Sequence, residues 1–133
     1  MFTPAQVNTI ARRAHHAIEG KGEGHTVYAM GSEYNPQRYV VGGLVPSAML
    51  PIGTPVSAIR AAIVRMLARD KGGVAETLGY WEDGGTLYLD LGTTWTLEHN
   101  ALKVASQRGE LAIYDRETGE CIRVSDTPGM HVA

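Results

Sequence analysis

Between Thr86 and Leu91 the chain alternates without a break: Leu87, Leu89 and Leu91 are interleaved with Thr86, Tyr88 and Asp90. Successive side chains of a strand point to opposite faces, so a two-residue period predicts a strand with one buried face. Leu78 to Glu82 reads as its partner. The link Asp83-Gly84-Gly85 supplies the positive φ angles that a tight hairpin requires. The remaining segments have to be arranged around a sheet.

Three segments carry the 3.6-residue period instead. The first starts at Thr3, where Thr3-Pro4-Ala5-Gln6 makes a capping box with proline at the first helical position. Val7, Ile10, Ala11, Ala14 and Ile18 follow on one face, and Gly20 is a natural stop. The second repeats this grammar: Thr54 as cap, Pro55 as opener, and Val56, Ile59, Ile63, Met66 and Leu67 as the buried stripe, ended by Gly72-Gly73. In the third, Thr94 or Thr96 is the cap, Leu97, Ala101, Val104 and Ala105 face inward, and Gly109 closes the helix.

A second hairpin is expected from Leu111–Tyr114 to Cys121–Val124, with Gly119 in its turn. A third pairing sets Thr26–Met30 against Tyr39–Val45, across a polar loop from Gly31 to Arg38. The expected order is α-ββ-α-ββ-α-ββ, which favours an α+β fold: an antiparallel sheet built from hairpins, with three helices packed on it. The three helix–hairpin units share element order but no residue pattern, so they do not read as a repeat. Residues 1–124 form the single expected domain, and 125–133 a frayed tail.

A chain of 133 residues with 44% hydrophobic and 20% charged side chains has the composition of one globular domain. The lone Cys121 cannot bridge internally, and it fits a reducing compartment as a small strand residue. A net charge of −2, with both signs mixed along the chain, argues against nucleic-acid binding. No stretch is apolar enough to span a bilayer, and Met1-Phe2-Thr3-Pro4 is not a secretory signal, so the cytoplasm is the default location.

The expected chemistry is sparse. Gly20-Lys21-Gly22-Glu23-Gly24-His25 is glycine-rich, but it follows a helix and precedes a strand, so it reads as a flexible connection rather than a phosphate loop. His15 and His16 are adjacent rather than four apart, and His25, His99 and His131 stand in separate elements, so no metal site and no cofactor are expected. Glu82 and Asp83 belong to turn chemistry. No nucleophile elbow or paired-carboxylate motif is present, and no catalytic residue is assigned. Candidate ligand- or partner-binding residues are Tyr34 and Arg38, in the polar loop before Gly42-Gly43, with Trp81, Tyr88 and Asp90 on the sheet's second face, opposite the leucines. There Thr86, Tyr88 and Asp90 would join Trp81 or Tyr80 in a polar-aromatic patch suited to a planar ligand or a partner protein. Ordinary solvent-facing sheet residues are the plainer reading. Gly42 and Gly43, inside a strand pattern, suggest a bulge or a close backbone approach.

The stretch from Gly79 through Asp90, Ala101–Gly109, Leu111–Asp115 and Thr118-Gly119-Glu120 to Val124 resembles small accessory modules of actinobacteria and their phages. It covers about a third of the chain as a hairpin–helix–hairpin pattern and carries no catalytic motif. The resemblance implies a phage setting in a bacterial host's cytoplasm. With it, the expected function is a non-enzymatic accessory or binding protein acting on a protein partner or a small ligand. Self-association is also expected, because hairpin-built sheets leave edges to be covered or paired. The rival expectation is a small enzyme or nucleotide-handling protein with a site assembled from His25, Tyr34, Arg38 and Asp90.

Overall fold

The computed structural model describes residues 1–17, 24–30 and 37–126. Among them are three helices, α1 (Pro4–Ala17), α2 (Val56–Arg69) and α3 (Glu98–Arg108), and seven strands. The strands are β1 (Gly24–Tyr28), β2 (Tyr39–Val41), β3 (Ala48–Pro51), β4 (Thr77–Asp83), β5 (Thr86–Trp95), β6 (Ala112–Asp115) and β7 (Glu120–Arg123). All pairings are antiparallel, giving the expected α+β fold.

β5 organises the sheet. Its first seven residues pair with β4 through the two-residue turn Gly84-Gly85, both at positive φ. Its other side is shared: β3 pairs with the first half and β2 with the last three residues. β1 extends the sheet beyond β4, while β6 and β7 extend it beyond β2. The leucines of β5 are fully buried, as their alternation predicts. They meet α1 and α2 through Val7, Ile10, Ile59, Ile63 and Met66. A second cluster joins Ala101, Leu102 and Ala105 of α3 to Tyr39, Val41 and Ile113.

The register places both clusters on one face. Val41 lies opposite Thr93 and Tyr39 opposite Trp95, so they share the side of Leu87, Leu89 and Leu91. Between the clusters, Thr93 Oγ1 accepts from Trp95 Nε1 at 2.9 Å and from Arg108 Nη2 at 3.1 Å. Three helices therefore cover one face and leave the other to the strands.

The capping box of α1 forms as expected: Gln6 N donates to Thr3 Oγ1 and Thr3 N to Gln6 Oε1, both at 3.1 Å. Gln6 goes further, donating to Tyr28 O and accepting from Met30 N, so the helix start is tied to the end of β1. Gly109 ends α3 in the left-handed conformation, and Gly119 sits at positive φ in the β6–β7 turn.

Several expectations are corrected. β1 and β2 do not form a hairpin: β1 pairs with β4, and β2 lies between β5 and β6. All three residues of β2 are buried, so its backbone needs ladders on both sides, whereas β1 begins with three exposed residues and suits an edge. β3 was not expected, and makes the order α-βββ-α-ββ-α-ββ. Thr54 does not cap α2, because its hydroxyl donates to Pro51 O in the turn from β3; Pro55 takes the cap position. α2 ends at Asp70, whose carboxylate accepts from Val74 N and Ala75 N, before the glycine pair. Neither Thr94 nor Thr96 caps α3; Leu97 does, 60% exposed rather than inward. Thr94 is a strand residue whose hydroxyl donates to Glu76. Ile18, Gly20, most of the 31–38 loop and residues 127–133 lie outside the described residues.

Thr3→Ala is expected to cost about 1 kcal/mol, the ordinary value of a lost cap. Gln6→Ala should cost more, since it also frees Tyr28 O and Met30 N. Urea denaturation of the two variants orders them.

Candidate functional site

The face without helices is hollow. A groove of about 810 Å³ runs across it from β1 and β4 to β6 and β7. Two glycines, Gly79 and Gly92, lie on its floor. The two glycines differ in kind. A β-carbon on Gly79 would make only ordinary van der Waals contact, at 3.9 Å or more, with His25 O, the Trp81 ring and Asp90 O, so packing does not require the glycine. On Gly92 it would come to 2.6 Å from both Thr77 Oγ1 and Val41 O, so Gly92 is required by packing.

Aromatic side chains line the rims. Trp81 and Tyr88 stack with centroids 5.3 Å apart and planes 12° from parallel, which holds the indole flat beside Gly79. Trp81 keeps 38% of its surface exposed. Across the groove stands Tyr114 of β6, and farther along β1 stands Tyr28, with Arg116 4.5 Å above its ring. Arg116 also donates to Gln37 O at 3.1 Å.

The charged floor is built where β2 gives way to β3. Residues 42–47 leave the ladder, and the gap is closed by Leu44 N donating to Leu91 O and by Asp90. Asp90 Oδ1 accepts from Gly43 N at 2.9 Å and from Ser47 Oγ at 3.3 Å. A β-carbon on Gly42 would run into the Asp90 carboxylate and reach 2.9 Å from Glu110 Oε1, so the two carboxylates converge on that glycine. Among the described residues no hydrogen bond to the Glu110 carboxylate is found. Burial raises both carboxyls above their ordinary range, and the Asp90 charge raises Glu110 further. Arg108 opposes both shifts. Its own guanidinium donates to Val41 O, Gly42 O and Thr93 Oγ1, and burial lowers it.

Of the five residues expected to bind, Trp81, Tyr88 and Asp90 come together on this face. Trp81, not Tyr80, joins the patch, because Tyr80 points into the helix-side core. Tyr34 lies outside the described residues. Arg38 is placed elsewhere: it grips Asp115 through Nε at 2.9 Å and Nη2 at 2.8 Å, and reaches Glu117 at 2.7 Å. Glu110 was missed because it pairs with Asp90 only through the fold. The signal available was the double glycine at 42–43, which left room for two carboxylates. Gly85 N donates to Glu82 Oε1, so Glu82 belongs to the turn as expected. Among the described residues no three His, Cys, Asp or Glu side chains gather as a metal site.

Gly79→Ala is expected to hold or gain about 0.5–1 kcal/mol, the ordinary strand preference over glycine. Gly92→Ala should lose about 1–3 kcal/mol through overpacking, and urea midpoints separate the two. Acid titration tests the Arg38 clamp, whose guanidinium holds Asp115 at about 2, below its ordinary 3.8. A depressed carboxyl stabilises the fold above its unfolded value and loses that contribution as pH falls toward the folded one. Stability should therefore drop between about pH 4 and 2, and Asp115→Asn should flatten that window in acid denaturation followed by circular dichroism. No family model, curated protein or solved structure matches this chain.

Proposed function

We propose that this chain is a non-enzymatic binding protein that takes its ligand in the groove on the helix-free face of the sheet. One observation carries the reading: the groove floor lacks a side chain at Gly79, where a β-carbon would make only ordinary van der Waals contact and packing does not require a glycine. A groove of about 810 Å³ lies within the roughly 300–1,000 Å³ range of small-molecule sites, which favours a small ligand over a protein partner. The aromatic rims and the few polar groups on the floor have the usual composition of such sites. The resemblance to accessory modules of actinobacteria and their phages supplies a phage setting for this role.

The rival reading, an enzyme site made from His25, Arg38, Tyr34 and Asp90, finds little support. Arg38 is committed to Asp115 and Glu117 and does not line the groove. Self-association belongs to the proposal through the sheet's outer strands, β1 and β7, each paired on one side among the described residues.

Gly79→Leu adds bulk to the groove floor at a position of ordinary strand backbone, where a β-carbon makes only ordinary van der Waals contact. Native mass spectrometry of the protein purified from its natural host should show a retained small molecule in the wild type and none in Gly79→Leu, with the urea midpoint preserved. Identical spectra for the two proteins would remove the reading.

A further inference from the structure

The groove's charge and shape constrain the ligand, on the assumption that the groove is the binding face. At its floor two carboxylates, Asp90 and Glu110, face one guanidinium, Arg108. Three of the guanidinium's five N–H donors go to Val41 O, Gly42 O and Thr93 Oγ1, which belong to the scaffold. With both carboxylates ionised, this end of the groove carries one uncompensated negative charge in a half-buried place. Glu110 accepts no hydrogen bond there among the described residues, so it has capacity for a donor. The other arginine of the groove, Arg116, stands on the opposite wall and is held by the Tyr28 ring and Gln37 O. It does not neutralise the floor. Alongside lies the flat element, the Trp81 indole backed by Tyr88, its edge 3.9 Å from where a β-carbon of Gly79 would stand.

We propose that the helix-free face binds a small organic monocation with a planar apolar body, its ring lying over Gly79 against Trp81 and its cationic nitrogen received by Asp90 and Glu110. Each part of such a molecule meets its physical complement. The ring gains contact with an indole already held in place, so little side-chain ordering is lost on binding. The cation gains charge-assisted hydrogen bonds in a site where burial strengthens them. An anionic analogue meets like charge, and a neutral one leaves the carboxylates desolvated without a counterion.

The test uses the full chain and three probes of one shape: 2-phenylethylammonium, 2-phenylethanol and phenylacetate, titrated by calorimetry. The ammonium should bind, the alcohol at least about tenfold more weakly, and phenylacetate not measurably, as a charge-assisted contact predicts. Glu110→Gln should weaken the ammonium about tenfold and leave the alcohol unchanged. Gly79→Leu should abolish binding of both. Trp81→Ala, at a partly exposed side chain, should weaken all binding and serves if Glu110→Gln fails to fold. Equal affinity for the three probes, lost in Gly79→Leu, would overturn the charge inference and leave the groove reading standing. Ammonium binding that survives Gly79→Leu, or no binding by any probe at millimolar concentration, would overturn the inference. The groove reading would then rest on the retained-ligand measurement alone.

Discussion

The sheet depends on a single ten-residue strand that is used on both faces. β5 sends Leu87, Leu89 and Leu91 into the core under α1 and α2, and Trp95 against the cluster under α3. On the other face it gives Tyr88, Asp90 and Gly92 to the aromatic stack, the charged floor and the tight crossing at Thr77 and Val41. Because the side-chain period is two, a slip of one residue would expose the leucines and bury Asp90 at the same stroke. The register of β5 is thus held by both faces together, and β4 fixes it through seven consecutive pairs.

The break between β2 and β3 is the second organising feature. A strand running continuously beside β5 would have sealed the sheet there. Instead residues 42–47 step out, and the gap lets groups from opposite faces act on one another: Arg108 approaches from the helix side, Asp90 and Glu110 from the groove. The carboxyl shifts follow from this geometry, since neither carboxylate is fully hydrated and each lies near the other's charge. Asp90 serves the fold as well as the floor, closing the break through Gly43 N and Ser47.

What could be read from the sequence follows from the range of the interactions involved. The capping box at Thr3, the Gly84-Gly85 turn, the Gly109 cap and the leucine alternation are local, and each appears as expected. Thr54 misled because its hydroxyl found Pro51 O, an equally local acceptor that the pattern did not distinguish. β3 escaped notice because Ala48–Pro51 is short and ends on a proline, which an edge strand tolerates. The pairing of β1 with β4 is non-local: His25 finds Tyr80 across fifty-odd residues, and adjacency along the chain gave the wrong partner. The site divided in the same way. Trp81, Tyr88 and Asp90 were found through one alternating strand pair, while Glu110 comes from the segment after α3 and meets Asp90 only once the sheet has formed.

Cys121 adds a practical property to the groove. It is the chain's single cysteine, it is exposed on β7, and it stands on the groove wall opposite Tyr114. A thiol-directed dye or spin label therefore attaches at one place, beside the hollow, with no engineered residue and no competing thiol to remove. The unmodified molecule already carries its own reporter position, and changes in the surroundings of that wall can be followed optically or magnetically in the native chain.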